Sequence, residues 1–253
     1  MPGNRTETRR SVYHWDELDR ASLKGTAPEA LVLVPLGALE QHGPHLPTGT
    51  DIFLSTAAVE RATALAAEES ARDFIIASFL RIGSSDHHFP FGGTISLAPA
   101  TLLLVLTDAL KGMVHSGVRR VVLVNGHGGN TGICHAAASA LSTTSDLSFA
   151  AIDYWNFGRE GYGEAEVPGH AGRWETSLIL ASRPELVRER KARKLASDAP
   201  SPGGGVYCSR IWSALDGHTD DANLGTSAEG QDIWSRVETG LAARLVELSK
   251  TMP

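Results

Sequence analysis

The chain has 253 residues, 42% of them hydrophobic and 21% charged, an ordinary globular balance with enough apolar material for one sizeable core. Its formal charge of −6 argues against non-specific nucleic-acid binding, and no apolar run approaches the roughly 20 residues needed to span a bilayer. Two cysteines (Cys134 and Cys208) exclude a disulfide scaffold, and the polar N-terminus (1–10) lacks the apolar stretch of a secretory signal, so a single domain over 1–253 in the cytoplasm is expected.

Strands are expected at 31–36, 74–80, 120–124 and 149–154. All but the last are near-continuous apolar runs, the pattern of parallel strands covered on both faces. Helices are expected between and after them, at 52–70, 99–116, 131–141, 175–182 and 228–248. The second opens on Pro99 and continues with Leu102, Leu103, Leu106 and Leu110 at helical spacing. Alternation of this kind implies crossover connections and an α/β fold, a mostly parallel sheet between helix layers. The Pro/Gly-rich stretch 198–205 reads as a surface loop or an oligomer contact.

Four segments carry the chemistry. The first follows the opening strand and brings Glu40, His42 and, after a Pro/Gly-rich turn, Asp51 close together in sequence. Hard and borderline ligands crowded at the C-terminal end of a strand suit a metal site, with an aspartate able to bridge two divalent ions. The competing reading makes Asp51 an ordinary cap of the helix that follows. The second segment, Asn125-Gly126-His127-Gly128-Gly129-Asn130, follows the most strand-like run and would project His127 at the sheet rim. A phosphate-cradling loop is the alternative, though neither a Walker lysine nor a dinucleotide fingerprint is present.

In the third, Gly169-His170-Ala171-Gly172-Arg173-Trp174-Glu175, a histidine precedes a helix start and a glutamate falls in its first turn; an acid there also suits the helix dipole alone. The fourth, residues 83–96, is a long rim loop suited to gripping a small polar substrate. Ser85, His88 and Thr94 are its candidate contacts, with Trp155 beyond the last strand. Serine-nucleophile catalysis lacks a Gly-x-Ser-x-Gly elbow, and Cys134 reads as a packed core thiol. Trp212 and Trp234, in the polar C-terminal third, mark either an interface or the wall of a pocket.

These segments, in this order and together with Gly93-Thr94-Ile95-Ser96-Leu97, resemble the creatininase (creatinine amidohydrolase) family across roughly residues 31–180. The resemblance implies a three-layer α/β/α sandwich. It further implies two divalent ions, zinc first with manganese or iron(II) as alternatives, one held by Glu40, Asp51 and His127 and the second by His42 and the bridging Asp51. Creatininase itself carries its remaining carboxylate at the position of Gly129, and double-glycine members take it from the later segment, here Glu175. The implied reaction is hydrolysis of a C–N amide in a lactam, formamide or short peptide, with His170 shuttling a proton to the leaving nitrogen. Hydrolysis of a C–C bond in a cyclic keto-polyol, or a non-catalytic small-molecule binder on the same fold, are the alternatives. Family members are commonly homo-oligomers, often hexamers.

Overall fold

The computed structural model describes residues 9–162, 167–189, 209–215 and 217–253; the expected loop at 198–205 and Cys208 lie outside the described residues. Five strands, β1 (Val12–His14), β2 (Leu31–Leu36), β3 (Phe74–Ile76), β4 (Arg120–Asn125) and β5 (Ser148–Asp153), form one wholly parallel sheet in the order β1-β3-β2-β4-β5. The helices are α1 (Arg20–Thr26), α2 (Thr50–Ala66), α3 (Pro99–His115), α4 (Thr131–Ser142), α5 (Arg173–Ser182), α6 (Ser209–Leu215) and α7 (Ser227–Thr251).

Side-chain alternation splits the core into two layers. Leu31, Leu33, Val122 and Val124 pack with Leu54, Trp174, Leu178, Ile233 and Leu241 of α2, α5 and α7. Their sequence neighbours Val32, Val34, Val121 and Leu123 face the other way, onto Leu102, Leu106 and Leu110 of α3 and Cys134, Ala137 and Leu141 of α4. Helices on both faces explain why β2 and β4 are buried along their whole length. The three-layer α/β/α sandwich is therefore present as expected.

Three departures from the sequence reading have physical causes. The third strand stops at Ile76 rather than running to 80. Leu33 accepts from Ala77 N at 2.8 Å, so by alternation Pro35 faces the same neighbour and has no N–H to offer it. The short edge strand β1 and helix α1 were not anticipated; β1 is only half-buried and three residues long, and α1 depends on Asp19, which accepts from Ala21 N and Ser22 N at its start. Helix α2 begins at Thr50 with Gly49 as its cap, which puts Asp51 in the first turn and overturns the capping reading of that residue.

Candidate metal centre

The polar segments meet at the C-terminal edge of the sheet. A Cβ on Gly37 would lie 2.6 Å from Ile52 N, and one on Gly126 would lie 2.8 Å from Asp51 O. Glycine just beyond β2 and β4 thus lets the first turn of α2 press between the two strand ends, and Asp51 arrives in the middle of the cluster.

The carboxylate of Asp51 is shared between two imidazoles. Its Oδ1 is 3.0 Å from His42 Nε2 and its Oδ2 is 3.1 Å from His127 Nδ1. On the His127 side, Glu40 Oε1 lies 3.1 Å from the same Nδ1 and 3.4 Å from His170 Nδ1. On the other side, Glu175 Oε1 is 3.6 Å from His42 Nε2, while its Oε2 accepts from Ala171 N at 2.5 Å. None of the six is more than 6% exposed. The predicted set Glu40, His42, Asp51, His127, His170 and Glu175 is thus gathered in one place. Among the described residues, three groups have ligand atoms close enough to hold an ion: His42 with Asp51 and Glu175, Glu40 with His42 and His170, and Glu40 with His87 and His127.

Backbone carbonyls orient the rings. His42 Nδ1 donates to Glu40 O at 3.1 Å, His127 Nε2 to Ser84 O at 3.0 Å, and His170 Nε2 to Gln41 O at 2.8 Å. In each ring the second nitrogen faces the carboxylates and would present a lone pair to a bound ion, the arrangement that outer-shell contacts give metal-ligating histidines. Both oxygens of Glu40, and Asp51 Oδ2, are buried and make no hydrogen bond. Anionic oxygens left bare in a dry cluster call for positive charge between them, so the residues present fit a divalent cation.

The electrostatics agree. Burial opposes ionisation of His42, yet Asp51 and Glu175 hold its pKa well above the ordinary histidine value; for His127 burial is likewise outweighed by Glu40 and Asp51. Burial acts to raise the Asp51 pKa, but His42 and His127 bring it below the usual carboxylate range, whereas burial raises that of Glu175. His170 is pushed well down by burial and by the neighbouring His42, His88 and His127. Burial also lowers His87 to about 4 and His88 to about 2, with adjacent imidazoles adding to the effect.

The expected substrate contacts separate. Ser85 is buried, its hydroxyl 3.3 Å from His127 Nε2, and His88 is buried against His170 with ring centroids 4.1 Å apart. Thr94 reaches the cluster through the backbone, its Oγ1 accepting from Gln41 N at 3.1 Å. Trp155 is 7% exposed and part of the core layer, and its ring meets Tyr154. Trp212 does arrive, its ring centroid 4.6, 5.1 and 5.5 Å from those of His88, His87 and His170. Trp234 is no interface residue; it is a core side chain whose Nε1 donates to Leu178 O at 3.2 Å beneath Arg61. Cys134 is the buried thiol expected, its pKa pushed up to about 12 by burial.

The sequence reading assigned no role to three contributors. His87 offers a ligand atom beside Glu40 and His127, and the adjacent imidazole pair His87-His88 was its one visible signal. Gln41, flanked by two candidate ligands, links several rings. The segment after α6 braces His170, as Thr219 N donates to His170 O at 2.9 Å, His170 N donates to Thr219 Oγ1 at 2.8 Å, and Asp220 accepts from Arg173 N at the start of α5.

The family model for creatininase, described as creatinine amidohydrolase, matches residues 12–245. The chain belongs to the creatininase family. Among family relatives it is 33% identical over 230 residues to the mycofactocin precursor peptide peptidase of Mycobacterium tuberculosis (strain CDC 1551 / Oshkosh), covering 85% of this chain and 83% of that one. It is 31% identical over 191 residues to the creatinine amidohydrolase of Pseudomonas putida, covering 68% and 71% of the two chains. The solved structure named Creatininase Mn superposes with a TM-score of 0.76 at 26% identity, covering 95% of this chain and 100% of that one. As a member of the creatininase family the chain is a hydrolase of carbon–nitrogen amide bonds.

Proposed function

We propose that the chain is a metal-dependent amidohydrolase with two divalent ions, one held by Glu40, Asp51 and His127 and the other by His42, Asp51 and Glu175. The observation that carries this reading is the divided carboxylate of Asp51, one oxygen 3.0 Å from His42 and the other 3.1 Å from His127, with unsatisfied Glu40 oxygens alongside. Zinc is the first choice of ion, with manganese or iron(II) as alternatives; the solved relative carries manganese in its name. Such ions would supply Lewis acidity toward the amide carbonyl and lower the pKa of water enough to make it a nucleophile at neutral pH.

The chain's own residues supply the rest. His170 is held neutral by burial, and its Nε2–H is tied to Gln41 O, so its Nδ1 is the open site for a proton. It takes that proton from the attacking water and returns it to the leaving nitrogen, giving a carboxylate and an amine. Ser85 and His88 line the same space, and Trp212 walls it. The peptidase relative matches more of both chains than the creatinine amidohydrolase does, which favours a short-peptide amide over a lactam or formamide.

The proposed setting is a cytoplasmic homo-oligomer such as a hexamer. Among the described residues no helix is long and apolar enough to cross a membrane, and Phe89, Ile95 and Leu104, each more than half exposed, offer apolar surface for a second copy. The function is tested by counting zinc and manganese per chain and assaying short peptides, creatinine, formamides and keto-inositols before and after exhaustive chelation. The expected result is two ions per chain and amide hydrolysis that disappears with chelator and returns with zinc or manganese; hydrolysis indifferent to metal removal would overturn it.

A further inference from the structure

Five imidazoles surround Glu40, those of His42, His87, His88, His127 and His170, and around four of them polar groups of fixed sense determine where the ring keeps its proton. His42, His127 and His170 each give an N–H to a backbone carbonyl and turn the other ring nitrogen, the one that would ligate an ion, toward the carboxylates. His88 is different. Its Nδ1 lies 2.9 Å from Nε2 of Gln41. The sense of that carboxamide is set by the backbone, because Gly43 N donates to its Oε1 at 2.9 Å and its Nε2 donates to Gly217 O at 2.8 Å.

One amide hydrogen of Gln41 is left, with two ring nitrogens in reach: His88 Nδ1 at 2.9 Å and His170 Nε2 at 3.0 Å. The second is already a donor, since it sits 2.8 Å from Gln41 O, an atom that can only accept. The hydrogen therefore goes to His88 Nδ1, which must be bare. The ring's single proton then lies on Nε2, a buried atom that makes no hydrogen bond and stands 3.8 Å from Glu40 Oε1. A protonated nitrogen cannot ligate a metal.

We propose that Gln41 is a positioning residue that locks His88 in its Nε2–H form, so that His88 serves the centre as a hydrogen-bond donor to the oxygen of the substrate's amide carbonyl and not as a ligand. The proposal rests on the reading of Glu40 as part of an ion site. It gives the two stacked rings opposite duties: His88 offers a proton toward the oxygen on which negative charge develops, and His170 offers a lone pair. Imidazoles that could bind an ion thus stand beside one that is prevented from doing so.

Histidine-selective 15N NMR on the zinc-loaded full chain tests this, with the His88 signals assigned by a His88→Asn variant. The expected spectrum has a protonated Nε2 and an unprotonated, zinc-free Nδ1. In Gln41→Glu the new carboxylate accepts from Nδ1, so the proton should move there, Nε2 should become a ligand, and the visible spectrum of the cobalt(II)-loaded protein should change. Gln41→Met, which lacks any donor, should give a mixture of the two tautomers and lower kcat about 10²-fold with little change in KM. A wild-type His88 with its proton on Nδ1, or with Nε2 bound to zinc, would overturn the proposal. Should Gln41→Glu fail to fold, the wild-type and Gln41→Met spectra decide. Failure of zinc to bind would remove the two-ion reading, while the proton position on His88 would still be read directly.

Discussion

A Cβ placed on Gly129 would lie 2.4 Å from Nε2 of His127, and as close to the carbonyl of Ser84 to which that nitrogen donates. The imidazole lies against the glycine, so no side chain fits at position 129 while His127 keeps its hydrogen bond. The geometry explains why this chain has no carboxylate there. Gly129→Ala should displace His127, cost about 1–3 kcal/mol through overpacking, and remove the ion nearest His127. Thermal melts and zinc counts on the purified variant check both effects; full zinc content would show that His127 is not a ligand.

With position 129 closed, the carboxylate on the His42 side has to come from elsewhere, and Glu175 is the buried acid within reach. Its Oε2 is anchored by Ala171 N, and Ala171 has a φ of 51°, a left-handed value that few residues other than glycine adopt. Glu175→Gln keeps the shape and removes the charge. It should drop the zinc content from two ions to one and weaken the remaining occupancy of that side by more than the roughly 10–100-fold typical of outer-shell changes. Retention of both ions at micromolar zinc would return Glu175 to the bland role of an acid in a first helical turn.

Metal uptake should release protons. Without an ion, His42 and His127 have pKa values raised well above the ordinary value by flanking carboxylates, so at pH 7 both carry a proton on the nitrogen that would bind the ion. His87, at about 4, and His88, at about 2, are already neutral and contribute none. Apparent zinc affinity should therefore climb as pH rises from 6 to 8, because fewer protons remain to be displaced. The same raised values mean that in the metal-free protein these two pairings stabilise the fold below the unfolded histidine pKa and lose that contribution as pH rises through the folded one. Titration calorimetry in buffers of different ionisation enthalpy reads the proton count directly; zero released protons would contradict the assigned protonation.

Much of this was legible in the chain because parallel strands and helices with both faces covered leave strong apolar runs. Residues 31–36 and 120–124 read as strands for that reason, and Glu40, His42 and His127 follow directly from them. Less visible was anything depending on contacts distant in sequence. The premature end of β3 depends on the missing N–H of Pro35 on the adjacent strand, a relation that periodicity within 74–80 cannot reveal. Trp234 looked like an interface or pocket-wall residue because its neighbours are polar, yet every turn of α7 buries one side, and Trp234 lies on it. Gln41 looked like a spacer because a carboxamide has no pattern of its own, and its partners at 43, 88, 170 and 217 are scattered along the chain.

Trp212 provides the last prediction. Its indole covers His87, His88 and His170, and burial is the leading cause of the low pKa of each. Trp212→Ala would admit water to these rings and let their pKa values rise toward the ordinary histidine range. For a base that works in its neutral form, a higher pKa means protonation at higher pH, so the acid limb of kcat/KM should move upward. Activity near pH 6 should fall more than activity near pH 8, and Trp212→Phe, which keeps an aromatic cover, should restore most of the difference. Should the acid limb stay where it is in Trp212→Ala, with only KM increased, the indole would be a wall for substrate and would have no part in keeping His170 neutral.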